Sequence, residues 1–435
     1  MLVIAHVAVL ISTAFVVNQK VPLPYMDEIF HVPQAQQYCQ GNYFDWDPKL
    51  TTPPGLYVIS NIIAYLGQIL HLDLCTVTAL RFTNLLFSVG LYYVLVQLVS
   101  LKTNKNDKQT QLYALALAWF PVHFFYNFVY YTDPGSTFFV LLSYLLVKKR
   151  CYRLAGIMGL VSLTFRQTNV IWLCLYMVLV IMDVLSLQAK KQDNSNSLYD
   201  PRCSDVHSLA QAIQSVKSLI VQTLKHLIIL IPHIVTFLLA IGLFGAFLVW
   251  NGGIVLGDRS NHIAGLHFPQ IFYFTCFLSF FAAPWTLSVN SLISLLSIRR
   301  YEHPFILSDN RHYSFYVWKK VYRRHPYVRY VLTPIYIMSG FLNIQAFAQH
   351  NSFLFVLGYI AAVLLSLVPS PLLEFRYFIV PFLLYMTHIP PPTHTRRTYL
   401  ALSFYALLHI ITLYLFIYKP FIWANEPEQL QRFMW

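Results

Sequence analysis

The chain has 435 residues, 57% of them hydrophobic and 11% charged. A soluble domain carries about 25% charged residues, so a water-soluble globular protein is excluded. Thirty Lys and Arg against 17 Asp and Glu give a net charge of +13. The basic residues gather in a few short clusters, which fits the positive-inside rule and leaves no basic stripe for nucleic acid. The six cysteines form no CxxC pair and no His-linked zinc spacing, so neither a disulfide scaffold nor a structural zinc site is expected.

The first apolar run, 2–18, lacks a basic start and a small-residue cleavage pattern, and is predicted to be an uncleaved membrane helix. Further spans are predicted at 82–101, 112–131, 136–147, 154–165, 170–187, 219–250, 271–297, 330–348, 352–369, 376–389 and 398–418. Several are short for a crossing, so tilted or paired helices are expected. The fold class is thus an all-α polytopic membrane protein in which 1–435 form a single membrane domain, and no internal repeat is visible.

Residues 55–70, "GLYVISNIIAYLGQIL", either span the membrane or lie on it. If they span, Lys102, Lys105 and Lys108 land on the non-cytosolic side, against the charge rule. If they lie at the interface, both basic clusters become cytosolic, and the interfacial reading is preferred. Residues 19–80 then form one long non-cytosolic loop with interfacial helices. Loops 188–217 and 298–329 fall in the cytosol, the latter with eight basic residues suited to anionic lipid heads. After residue 330 two arrangements are compatible with the pattern. Glu374 and Arg376 face the cytosol if 330–348 and 352–369 both cross, and the other side if one is re-entrant.

The non-cytosolic face collects most of the unusual polar residues, whereas a coupled transporter would place carboxylates in mid-helix. Asp27 and Glu28 leave the first helix in "DEIFHVPQAQQY". Asp27 reads either as a helix N-cap or as a general base, with His31 close behind. "DWD" (45–47) matches a weak metal-binding pattern, but Asp47-Pro48 reads equally as a turn, and no metal site is assigned. Asp133 in "YTDPGSTFF" caps a helix or serves the site. Arg166 in "FRQTN" either snorkels to the interface or grips phosphate, with Gln167 beside it. "GDRSNHIAGLHFPQ" offers Arg259, His262, His267 and Gln270 for phosphate and sugar contacts, and "LEFRYFIVP" adds Arg376. The rival readings are a transporter or lipid flippase, and a non-catalytic membrane scaffold.

"MDEIFHVPQAQQYC", "FDWDPKLTTPPGLYV", "YTDPGSTFF", "FRQTNVIW", "GDRSNH" with "LHFPQ", and "LEFRYFIVPF" stand here in one order. That ordered set, from residue 25 to about 420, closely resembles the Die2-type alpha-1,2-glucosyltransferases of the endoplasmic reticulum. The resemblance implies a GT-C glycosyltransferase fold of about 11–13 transmembrane helices with a catalytic first luminal loop. It implies dolichyl phosphate glucose as donor and a diglucosylated dolichyl-diphosphate oligosaccharide, Glc2Man9GlcNAc2-PP-dolichol, as acceptor. Such enzymes generally need no divalent metal or other cofactor. The donor's beta linkage and the product's alpha linkage imply inversion by one in-line displacement. Asp27 is expected to take the proton of the acceptor hydroxyl, with Glu28 holding the acceptor or tuning Asp27. The arginines and His262 are expected to face the departing phosphate.

Overall fold

The computed structural model describes residues 1–104, 107–192, 198–258, 265–286, 311–313, 328–370, 372–423 and 426–435. Each predicted span meets a helix, with two informative breaks. The first helices are α1 (Leu2–Lys20), α2 (Glu28–Cys39), α3 (Gly55–Ile69) and α4 (Val77–Thr103). The predicted span 112–131 divides into α5 (Lys108–Ala118) and α6 (Pro121–Tyr126). Pro121 stands in the first turn of α6; its ring holds residue 120 out of the helical region and lacks the donor α5 would need to continue. Next come α7 (Thr132–Lys148), α8 (Tyr152–Leu163) and α9 (Val170–Gln192).

The predicted span 219–250 divides at His226, between α10 (Leu209–Lys225) and α11 (Leu227–Asn251). Much of the 188–217 loop is thus helical, because Ser208 and Gln211 form a reciprocal capping box that starts α10 early. The remaining helices are α12 (Pro269–Thr286), α13 (Val328–Ala348), α14 (Phe353–Leu367), α15 (Ile379–His388) and α16 (Thr395–Tyr418). The tail departs from the all-helical expectation. β1 (Phe421–Trp423) and β2 (Glu426–Gln431) pair antiparallel, with Phe421 opposite Gln431.

Among the described residues five helices are long and apolar enough to cross a membrane, over Leu2–Lys20, Val77–Thr103, Gln167–Lys190, Leu227–Asn251 and Thr395–Tyr418. The chain is a multi-pass, mostly helical membrane protein. α5, α6 and the first turns of α7 lie at its centre, and residues from Leu112 to Val140 supply much of the core. α7 packs most extensively on α8 and α4.

α3 is a short helix with two unlike faces. Its 15 residues reach about 22 Å, short of the roughly 30 Å hydrocarbon core. Leu56, Tyr57, Ser60, Ala64 and Gly67 face the protein, while Val58, Ile62, Tyr65, Leu66 and Ile69 stay exposed on the other face. Gly55 sets its start. The Gly55 amide donates to Thr164 O at 2.7 Å, and a Cβ there would come within 2.2 Å of Thr164 Oγ1. Gly257, at φ +65°, clamps the same loop from above; its added Cβ would lie 2.2 Å from Pro48 O.

Contrary to expectation, Cys39 and Cys75 are joined by a disulfide. They are 36 residues apart, with no local spacing to betray them, and the folded loop brings their Cα atoms to 6.6 Å. The bond ties the end of α2 to the approach to α4. Replacing both cysteines by serine is expected to lower stability by about 2–4 kcal/mol, read from thermal unfolding in detergent with and without reductant.

The segment 311–313, within the loop expected in the cytosol, packs against the C-terminal tail. Tyr313 N donates to Met434 O at 3.1 Å, and Met434 N donates to Arg311 O at 2.9 Å. The tail in turn meets the first loop: Tyr25 Oη donates to Arg432 O at 2.7 Å and accepts from Arg432 N at 2.8 Å. Residues 311–313 therefore share the side of Asp27. Arg376 Nη1 lies 2.9 Å from Asp27 Oδ2, which puts Glu374 and Arg376 beside Asp27.

Candidate active site

The site forms where the first loop meets the ends of α7, α8 and α14. Met26 turns the chain with a left-handed backbone, φ 55°, uncommon for a residue with a side chain. This turn sends the neighbouring carboxylates of Asp27 and Glu28 to different places.

Glu28 is fully buried and belongs to the scaffold, which corrects its expected place in the chemistry. Its Oε1 accepts from Arg81 Nε at 2.8 Å and from Tyr130 N at 2.6 Å. Its Oε2 accepts from Arg81 Nη2 at 2.6 Å and from Tyr25 N at 3.0 Å. Four donors fill the acceptor sites of a carboxylate. Arg81 is equally occupied: it also donates to Asn18 Oδ1, Val21 O and Leu23 O. The pair fastens α1, the first loop and α4 together, and no substrate atom can approach it.

Asp27 occupies the N-cap position of α2, but its side chain makes no capping bond. It turns instead to Arg376, whose Nη1 lies 2.9 Å from Asp27 Oδ2, and its side chain is 37% exposed. The Asp27 amide donates to Tyr131 Oη at 3.1 Å. Arg376 stands on the short 3-10 turn Phe375–Phe378 and also pairs with Glu374. Its guanidinium lies over the rings of Tyr131 and Tyr377, at 5.6 and 5.8 Å. Asp133 is in the first turn of α7, and Arg166 at the end of α8 reaches its Oδ1 at 3.3 Å. Arg376 Nη1 lies 3.9 Å from Asp133 Oδ2. Three carboxylates and two guanidiniums thus alternate across one small region. Asp133 Oδ2 and Arg166 Nε are buried there with no hydrogen-bond partner, leaving polar capacity that a ligand can take up.

Burial raises the Asp27 carboxyl, but Arg376, His31 and, more weakly, His312 outweigh it, and the net position is below its ordinary value of 3.8. Asp27 is ionised at neutral pH. His31 lies one helical turn further along α2, its Nδ1 2.5 Å from Tyr57 Oη. Burial pushes it down to about 4, with Arg376 and Arg166 adding to the effect and Asp27 opposing it. His31 is therefore a neutral hydrogen-bonding group, not a cation for phosphate. Asp27's contribution to stability is present above its unfolded value and fades as pH falls through its lower folded value. Activity is expected to stay flat over roughly pH 5–8, with no histidine limb. An acid limb of kcat/KM centred near 6.5 would place control in His31 rather than Asp27.

The other predicted residues take supporting places. Asp47 accepts from Lys49 N at 2.9 Å, which is the turn reading of "DWD". Gln167 is a buried strut to Thr51 O at 2.7 Å. Gln270 donates to Leu372 O at 2.8 Å and His267 N to Val368 O at 2.9 Å, so both brace the loop that carries Glu374. Arg259 and His262 lie outside the described residues. Among the described residues no group of three or more His, Cys, Asp or Glu is placed to hold a metal ion.

The sequence reading missed Arg81, Tyr131, Tyr377 and His312. Arg81 carried a signal, a lone charge in "VTALRFTNLLF". His312 carried none, because its cluster reads as cytosolic.

The class so defined is a multi-pass membrane protein with an ionic site at one end of its helices, where the ionised Asp27 is paired with Arg376 and Asp133 with Arg166. The profile of the DIE2/ALG10 family matches residues 21–387, and the chain belongs to that family. A Mus musculus protein and a Homo sapiens protein are each 39% identical to it, covering 95% of this chain and 93% of their own length. An Arabidopsis thaliana protein is 33% identical over 98% of this chain and 97% of its own. All three are named Dol-P-Glc:Glc(2)Man(9)GlcNAc(2)-PP-Dol alpha-1,2-glucosyltransferase. The solved oligosaccharyltransferase of Archaeoglobus fulgidus is 13% identical at a TM-score of 0.40, over 94% of this chain and 55% of that one, a likeness too slight to carry an argument.

Proposed function

We propose that the chain transfers glucose from dolichyl phosphate glucose, in alpha-1,2 linkage, to Glc2Man9GlcNAc2-PP-dolichol. The observation that carries this reading is the Asp27–Arg376 pair, which sets a base beside a phosphate-binding group. The acceptor 2-hydroxyl attacks the anomeric carbon, a carbon–oxygen bond forms there, and the bond to the phosphate breaks. Asp27 takes the hydroxyl proton. The phosphate leaves as an anion and needs no acid. Arg376 and Arg166 face the charge it gains, in a site already organised by Glu374 and Asp133. These guanidiniums supply the positive charge, and we propose that no metal cofactor takes part.

We place the reaction on the luminal face of the endoplasmic reticulum membrane, with the GT-C arrangement that the resemblance implies. The Cys39–Cys75 bond supports that side, since disulfides persist in oxidising compartments. The deciding experiment incubates purified protein with dolichyl phosphate glucose and the diglucosylated acceptor. Growth of the glycolipid by one glucose supports the reading; donor binding without growth overturns it in favour of a transporter or scaffold. Arg376→Gln is expected to slow transfer by about 10². Arg376→Lys should recover only part of the loss, because an ammonium lacks the planar fork. Equal rates for the two variants would reduce Arg376 to a source of charge alone.

A further inference from the structure

The opposite end of the bundle holds a second polar centre. Between Arg81 and Lys102, α4 rises about 30 Å, roughly the thickness of a hydrocarbon core. There the ends of α4, α7, α9, α14 and α15 border a cavity of about 660 Å³. Its wall carries Lys102, Lys148, Lys149 and Arg150 against one carboxylate, Asp183. That carboxylate is already engaged: Arg150 Nε lies 3.1 Å from its Oδ2, and Tyr152 Oη donates to it as well. Lys149 Nζ donates to Gln97 Oε1 at 2.8 Å. Lys102 Nζ reaches the His350 carbonyl at 3.3 Å, and Lys148 Nζ lies over the Tyr144 and Phe355 rings at 5.3 and 5.9 Å. Neither ammonium has a carboxylate at ion-pair distance among the described residues.

The cavity is also built in depth. His388, 7% exposed, stacks on Phe355 at 4.1 Å and places Nδ1 2.7 Å from Asn351 Oδ1. Charge balance during insertion explains why lysines lie at this end. It does not require that residues 102 and 148–150, from the ends of two separate helices, converge on one hollow with a buried polar floor. We propose that this cavity is a phosphate-binding site, of a size to admit the headgroup of an anionic membrane lipid. Basic hollows between membrane helices bind such headgroups, and the volume lies within the range of ordinary ligand pockets. The proposal does not depend on the transfer reaction at the other end.

The test uses the full-length protein in neutral detergent and follows its Tm. Short-chain phosphatidic acid, short-chain phosphatidylcholine and inorganic phosphate are titrated separately. A saturable rise with phosphatidic acid and none with phosphatidylcholine is expected. Lys102→Gln with Lys148→Gln should weaken the apparent affinity at least tenfold, and the matching pair of Arg substitutions should retain it. If the double variant does not fold, Lys102→Gln alone is read by the same shift. A rise with inorganic phosphate that competes with the lipid supports the site and assigns its ligand to solution. A rise with phosphatidic acid alone assigns it to the membrane. Equal responses to both lipids, or an unaltered response in the Gln variants, overturn the proposal.

Discussion

Asp27→Asn is expected to slow glucose transfer by about 10²–10⁴, the usual loss when a general base is removed. The substitution keeps the shape of the side chain and removes only its charge. Arg376 stays held by Glu374 and by the neighbouring rings, so the fold and the donor site should survive. Single-turnover assays on purified protein check the rate, and retention of labelled donor checks the binding. Near-normal transfer by the variant would take Asp27 out of the base role and turn attention to Asp133. That carboxylate is less suited, since its side chain is 3% exposed and already engaged by Arg166.

Arg81→Met should do the converse, leaving the reacting groups untouched and undermining what holds them. It strands Glu28 as a buried carboxylate without its cation, a change that costs about 3–5 kcal/mol. It also removes the donors to Val21 O and Leu23 O that fix the exit from α1. We expect a large drop in Tm in detergent and low yield from the membrane. Adding Glu28→Gln to Arg81→Met should restore part of the loss, because the stranded charge is gone. If Arg81→Met unfolds like the wild type, the pair is not the fastening the structure shows. Two adjacent carboxylates thus separate by experiment, Asp27 through rate and Glu28 through stability.

The sequence made the helical framework readable because apolar runs of membrane length leave few other folds. Three things were hidden. The break at Pro121 was marked by a proline inside an apolar run whose hydropathy outweighed it. The different fates of Asp27 and Glu28 depend on a single left-handed residue, Met26, and on Arg81, which lies 53 residues beyond Glu28. The placement of 311–313 could not be read at all. Arg311 counts as a loop charge in the sequence, whereas in the fold it lies over the ring of Trp423 at 4.6 Å. Charge counts describe averages over loops, and one strand contact overrides them.

The contact between Tyr25 and Arg432 bridges 407 positions of sequence. During synthesis, the segment bearing Asp27 emerges 407 residues ahead of the partner that Tyr25 must meet. Pairings so distant along a polymer are slow to form. A nascent chain arrested near residue 418 should therefore hold its helices but leave the first loop open to protease. Activity in the cell would then lag behind insertion by the time needed to translate and seat the stretch around Arg432.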